Sequence, residues 1–228
     1  AENPQTKDVV DGKVNFTVSG LSARDYHVTV TYVENDNYLT STNATDFTVY
    51  RKNSTVSINA TNILVGETEV FNVTVTPGAT GYVLISFADF KHYVDINTTN
   101  NFLVPVADLP VGEYNVTITY SGDSNYFNST GNSSFNITKR VTPIVISCNP
   151  IIIEGHSVTF AITTNSTITE VVTIRVNGTN YTSFVVNGRG NYTVYNLPSG
   201  NHTAYVYLAE NSRFKAASNH TNFTVTTK

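Results

Sequence analysis

One thiol and five imidazoles are the side chains here best equipped to attack a carbon, move a proton or hold a metal. His27, His92, His156, His202 and His220 are spread over separate stretches, and none stands in a His-x-x-x-His spacing that would bring two rings to one metal. They read as polar strand and loop residues. Cys148, at the end of a candidate strand and beside Asn149-Pro150, reads as a small packed residue; a reactive thiolate would need a His or a cation against it. A lone Cys also forms no internal disulfide. The chain is therefore expected to be non-enzymatic, with no cofactor and no metal site.

Three weaker patterns point the same way. Ser121-Gly-Asp-Ser-Asn125 and Glu34-Asn-Asp-Asn37 gather oxygen ligands of the kind calcium takes, but Glu210-Asn-Ser-Arg213 puts a cation at the matching place. Asx turns closing hairpins are the simpler reading. Lys52 and Lys139 near first strands, with Asn136 and Asn222 on last ones, resemble the donors of a Lys–Asn isopeptide cross-link, yet the buried acid that such chemistry needs is not evident. The Thr29/Thr31, Thr74/Thr76 and Thr117/Thr119 rows are short and interrupted, and read as solvent-facing strand residues rather than a template for a regular ligand.

The chemistry that stands above background is an acceptor pattern. Asn-x-Ser/Thr occurs at Asn15, Asn43, Asn53, Asn59, Asn72, Asn97, Asn115, Asn128, Asn132, Asn136, Asn165, Asn177, Asn180, Asn191, Asn201, Asn219 and Asn222, which is 17 of 28 Asn. With about a quarter of residues being Ser or Thr, chance gives roughly six or seven. The two ends of a sequon are i and i+2, so on a strand they share one face. In Phe71-Asn-Val-Thr-Val-Thr76 that face is opposite Phe71, Val73 and Val75. Asn15/Thr17, Asn115/Thr117, Asn136/Thr138 and Asn222/Thr224 repeat the arrangement. A Thr-rich, polar-out strand would also look like this; N-linked glycans, and with them an extracellular, cell-surface location, are the expectation.

These residues need strands to hold them. Leu109-Pro-Val-Gly-Glu-Tyr114 leads into alternating Val and Thr up to Tyr120, then a polar turn and Tyr126. Leu21 and Leu197 open two further versions. Leu21, Leu109 and Leu197 are 88 residues apart, as are Phe47, Phe135 and Phe223. Candidate strands at 55–58, 69–76, 81–87, 92–97, 101–106, 113–120 and 134–138, parted by Gly, Pro, Asn and Asp, predict a two-sheet antiparallel sandwich with almost no helix. The expected organisation is all-β: tandem immunoglobulin-like sandwiches end to end, with complete repeats at 51–139 and 140–228. Residues 1–50 give only the second half of one. The joints at Tyr50–Ser54 and Thr138–Pro143 are too short for flexible linkers.

That first unit is incomplete. Its strands, Val14-Phe16-Val18, Tyr26-Val28-Val30-Tyr32 and Phe47-Val49, turn about nine side chains toward a sheet that the register omits. Leaving them wet forfeits on the order of 10–25 kcal/mol, an upper bound, against about 5–15 kcal/mol for a whole domain. The expected partners are neighbouring repeats, or copies of the same protein, that complete the half-domain.

Composition excludes other classes. Charged residues make up 13% and the net charge is −4, without the Lys/Arg cluster of a nucleic-acid binder. No run of about 18 apolar residues predicts a membrane span in this segment. No signal peptide opens the chain, as expected of a mature or excised segment.

Leu-Pro-x-Gly-x-Tyr, the Val/Thr strand, Tyr-Ser-Gly-Asp-Ser-Asn-Tyr and a closing Phe-x-Ile strand together resemble the immunoglobulin-like repeats of large bacterial and archaeal surface proteins. The Asn- and Thr-rich character is most similar to adhesin-like proteins of methanogenic archaea. The resemblance implies a structural stalk or fibre segment of a glycosylated surface protein. Two alternatives are a self-assembling filament with strand complementation between copies, and a module that itself grips carbohydrate or a host surface. Tyr114, and Tyr26 in the first unit, resemble a tyrosine corner, whose hydroxyl bonds back to the turn before its strand. His202 departs from that pattern, which puts the third corner in doubt.

Overall fold

A computed structural model describes residues 4–96, 99–165 and 168–228, and among them there is no helix. Two sandwiches follow one plan. In the first of them, β3 (Val56–Asn59), β5 (Glu69–Val75) and β8 (Asn101–Val106) form a three-stranded sheet. Opposite lie β4 (Ile63–Leu64), β10 (Ser129–Thr138), β9 (Gly112–Tyr120), β6 (Gly81–Phe87) and β7 (Phe90–Ile96), in that order. The other repeats the scheme with β11 (Val145–Ser147), β13 (Val158–Thr163) and β16 (Arg189–Val194). Its five-stranded sheet runs β12 (Ile151–Ile153), β18 (Ala217–Thr226), β17 (Gly200–Leu208), β14 (Glu170–Val176), β15 (Thr179–Val185). All-β tandem sandwiches are thus the fold.

Strand and face follow from a period of two in β-branched and aromatic residues. In β5, Phe71, Val73 and Val75 are buried while Val70, Asn72 and Thr74 are exposed. Val116, Ile118 and Tyr120 of β9, and Ala204, Val206 and Leu208 of β17, are inward in the same way. The third repeat has one continuous core, from Ile144 to Val225, around Phe160, Ile174 and Phe223.

Eight strands, not seven, build each sandwich. The extra ones, β4 and β12, pair parallel with the last strands: Ile63 with Ile137, and Ile151 to Ile153 with Thr224 to Thr226. The hairpin and meander pairings, β3–β5, β6–β7, β6–β9, β11–β13, β13–β16, β14–β15, β14–β17 and β17–β18, are antiparallel. The sequence hides β4 because two residues, Ile63 and Leu64, are too short to show a period.

The first unit departs further. Among its described residues only β1 (Arg24–Tyr32) and β2 (Ser41–Val49) form, as a two-stranded ribbon with Tyr26 opposite Phe47 and Val30 opposite Asn43. The expected strand at Val14-Phe16-Val18 is absent. Its counterpart in the third repeat, β16, takes its ladder from β13, and residues 1–228 hold no first-unit equivalent of β13. Packing divides the chain into two compact units: Ala1–Asn59 with Asn72–Val104 and Asn115–Ser133, and Ala60–Phe71 with Pro105–Tyr114 and Ser134–Lys228. The division crosses the middle repeat rather than falling between repeats.

Candidate functional site

Sixteen of the sequon asparagines lie within the described residues, and all sixteen are exposed; Asn97 lies outside them. Most stand on the outer face of a strand or in a turn. Several have the side-chain carbonyl fixed by a neighbouring hydroxyl. Thr203 Oγ1 donates to Asn222 Oδ1 (2.8 Å) and Thr224 Oγ1 donates to Asn201 Oδ1 (2.9 Å), so the two facing sequons of β17 and β18 hold each other. Thr117 Oγ1 does the same for Asn132 (3.0 Å). Oδ1 being the acceptor in each, the amide nitrogen that would carry sugar is not the bonded atom.

Asn219 and Asn43 are different. Asn219 pairs with buried Val206, so it stands on the inward register at the rim of the core. Its Nδ2 donates to Ile144 O (2.8 Å), and its Oδ1 accepts from His220 N (2.8 Å). Asn43, opposite Val30, has the same position, and its Oδ1 accepts from Ala44 N (2.9 Å). The signal was present in the sequence: Asn43, Gly131 and Asn219 are 88 residues apart, and a glycine among them marks a crowded inward site. A Cβ on Gly131 would stand 2.5 Å from Val56 O.

The corner is built three times. Tyr26 Oη donates to Ser22 O (2.9 Å) and Tyr114 Oη to Pro110 O (2.7 Å). His202 Nε2 reaches Pro198 O at 2.8 Å, which corrects the doubt over that position: an imidazole N–H spans the gap that the phenol spans elsewhere. Each ring also stacks on the following Phe. Tyr26–Phe47, Tyr114–Phe135 and His202–Phe223 have centroids 5.2, 5.1 and 5.3 Å apart.

The polar turns are Asx turns in all three copies. Asn35 Oδ1 accepts from Asn37 N and Tyr38 N, Asp123 Oδ1 from Asn125 N and Tyr126 N, and Asn211 Oδ1 from Arg213 N and Phe214 N. Asp123 has a second oxygen, which accepts from Thr80 N (2.8 Å) and Thr80 Oγ1 (3.0 Å). Burial raises its pKa, but these donors outweigh burial and hold it at about 2. Tyr120, whose hydroxyl donates to Thr80 O, is pushed up to about 12 by burial and then by Asp123. The carboxylate oxygens are thus occupied by protein donors, as an Asx turn requires and a calcium loop does not.

A buried acid does exist. Glu69 is fully enclosed, with Thr61 N and Thr61 Oγ1 donating to its carboxylate. Sequence reasoning missed it because Glu69 opens a strand in a position that Val158 fills in the other sandwich. Of the cross-link candidates, Lys139 instead pairs with Glu210. Burial pushes the Cys148 thiol up. Among the described residues no group of three or more His, Cys, Asp and Glu is placed to hold a metal ion.

The third repeat carries one feature that its siblings lack. Where Thr29/Thr31 and Thr117/Thr119 line the outer face, Tyr205 and Tyr207 stand exposed, their rings 18° from parallel and 6.1 Å apart. Arg175 lies across from Tyr205, and His220 tilts against its ring at 5.6 Å. A shallow hollow of about 480 Å³ lies over this patch.

No family model and no curated protein matches the chain. Among solved structures, it is similar to the fibronectin(III)-like modules of Clostridium thermocellum CbhA at 13% identity and TM-score 0.35, over 76% of this chain and 95% of that one. It is also similar to a 1.5-MDa bacterial ice-binding adhesin at 15% identity and TM-score 0.35, over 90% and 75%. A chimeric titin Z1Z2 tandem is matched at 14% identity and TM-score 0.30, over 74% and 99%. Likeness at this level says nothing of function, and the fold rests on the sheets and cores above. Among the described residues no helix is long and apolar enough to cross a membrane.

Proposed function

We propose that the chain is a non-enzymatic spacer segment of an extracellular surface protein, with residues 51–139 and 140–228 as two complete repeats and 1–50 as the second half of another. Its work is to hold a glycan coat outward from a β-sandwich scaffold. The observation that carries this reading is that the sixteen described acceptor asparagines are all exposed, and that in β5, β10 and β18 the residues after Asn72, Asn136 and Asn222 fill the cores. The resemblance of the Leu-Pro-x-Gly-x-Tyr corner and its following strand to the repeats of adhesin-like proteins, those of methanogenic archaea included, supports the surface location. Intact mass of the native protein, before and after removal of N-linked sugar, tests it. A ladder of glycoforms collapsing to the polypeptide mass is expected, and an unmodified native mass overturns the reading.

Tyr205, Tyr207 and Arg175 favour a second reading for the third repeat alone, a platform on which a sugar ring stacks. On a glycan array the chain would then bind a defined set of saccharides, and Tyr205→Ala with Tyr207→Ala would abolish the signal. An array without binders removes this reading and leaves the first intact.

A further inference from the structure

We infer that the hollow on the outer face of the third repeat holds a sugar that the chain itself carries, the N-linked glycan of Asn177, laid along β17 over Tyr205 and Tyr207. This rests on the glycan-coat reading, and gives the tyrosine platform an occupant that is covalently attached rather than foreign.

Register places the acceptor beside the platform. β14 runs antiparallel to β17, with Arg175 opposite Tyr205 and Thr173 opposite Tyr207. Asn177 comes two residues after Arg175, in the turn between β14 and β15. With Gly178 and Thr203 it lines the hollow over Arg175, Tyr205 and Tyr207, and among the described residues of that lining it is the one glycan acceptor. Strand rise is about 3.3 Å per residue, so Asn177 stands on the order of 7 Å from the Arg175 row. A glycan that turns back along β17 meets Tyr205 first and Tyr207 next.

The turn leaves the acceptor untied. Asn177 has φ of 49° and Gly178 of 81°, the left-handed pair of a two-residue hairpin turn, which Asn adopts more readily than most residues. The carbonyls of Asn201, Asn219 and Asn222 are each held by a hydroxyl or a backbone N–H. Asn177 makes no side-chain hydrogen bond among the described residues, so its amide is free to carry sugar and to swing over the hollow.

The second repeat lacks the acceptor and the platform together. Its matching turn is Ala88-Asp89, with Ala88 at φ 45°. Ser86, Thr117 and Thr119 stand where the third repeat has Arg175, Tyr205 and Tyr207. Thr serves a solvent-facing strand well, whereas two exposed tyrosines leave apolar ring surface in water. The C–H face of a sugar ring covers that surface while its hydroxyls stay wet. Arg175 has no ion pair among the described residues, so its five N–H donors are open to those hydroxyls. The hollow of about 480 Å³ has room for a small ligand, but it is shallow. A shallow patch holds a free saccharide poorly, because association costs translational and rotational freedom. A sugar tethered at Asn177 is spared most of that cost.

Hydroxyl-radical footprinting of the native glycoprotein, read by mass spectrometry, tests this. Tyr205 and Tyr207 are 41% and 38% exposed without sugar, so with the glycan in place their labelling should be at least about threefold lower than after enzymatic removal of N-linked sugar. Thr179→Ala, made in the native host, removes the Asn177 acceptor and leaves the turn residue unchanged; it should uncover both rings by itself. Thr182→Ala, which removes the Asn180 acceptor, should leave them covered. Conversely, Tyr205→Ala with Tyr207→Ala should free the glycan, so that enzymatic release from Asn177 in the folded protein is at least about threefold faster while release from Asn180 is unchanged. Equal labelling with and without sugar on Asn177 overturns the inference, as does a bare Asn177 in a protein glycosylated elsewhere; both leave the glycan coat intact. Uncovering by Thr182→Ala and not by Thr179→Ala overturns it too. So does an array saccharide bound by the glycosylated chain through the two tyrosines, which gives the platform to a foreign ligand. Sugar nowhere on the protein overturns the coat and this inference together.

Discussion

At the scale of single residues, Asp123 and Tyr120 make the second repeat sensitive to pH at both extremes. The Asp123 pKa is depressed to about 2, so its hydrogen bonds contribute fully above the unfolded carboxylate range and are lost as pH falls from about 4 through 2. Because Asn35 and Asn211 hold the same turn with one oxygen, Asp123→Asn should keep the bonds from Asn125 N and Tyr126 N and lose those from Thr80. A cost of about 1 kcal/mol at neutral pH, shrinking toward pH 2, is expected in urea titrations. Tyr120 behaves in the opposite sense. Its pKa is raised to about 12, so its contribution is complete below pH 10 and disappears between 10 and 12. Phenolate absorbance should show one tyrosine of the 14 ionising last, together with unfolding. Cys148, half-buried with its thiol pushed up, should react with a disulfide reagent far more slowly at neutral pH than it does in denaturant.

At the scale of elements, the corner and the strand it introduces act together. Removing only the hydrogen bond, by Tyr114→Phe, should cost about 1 kcal/mol, since the stack on Phe135 survives. His202→Phe should cost a similar amount, and a null result there would mean that the His202 bond to Pro198 contributes nothing. Gly131→Ala meets the backbone of Val56 rather than a flexible side chain, so β3 or β10 must shift; a loss of roughly 1–3 kcal/mol is expected by calorimetry. Much of this level was legible beforehand. Alternation in Phe71–Val75 and Tyr114–Tyr120 identified strand and face, and the 88-residue spacing located the turns. What alternation could not reveal were features set by partners. β4 is too short to have a period, Glu69 looks like any strand-opening polar residue, and Val14–Val18 reads as a strand although no strand pairs with it. The inward register of Asn43 and Asn219 was hidden for a related reason: a sequon motif draws the eye to its Asn and Thr, whereas the face is set by the strand's pairing.

At the scale of the whole molecule, repetition in sequence and continuity of packing do not share boundaries: the compact units divide inside the middle repeat. The first unit shows how far a repeated sequence depends on its surroundings, since the same corner, stack and Asx turn are present there without the buried core. The parallel edge pairs have a consequence of another kind. In each sandwich the second strand lies alongside the closing one and runs in the same direction, β4 with β10 and β12 with β18. A pull applied through the two ends of a repeat, once it has passed the short strand ahead of them (β3 or β11), slides these strands along each other. Their hydrogen bonds share the load and must rupture together, whereas an antiparallel hairpin would peel open one bond at a time. The clamp spans two residue pairs in the middle repeat and three in the last. Under single-molecule tension the last repeat should be the later of the two to give way.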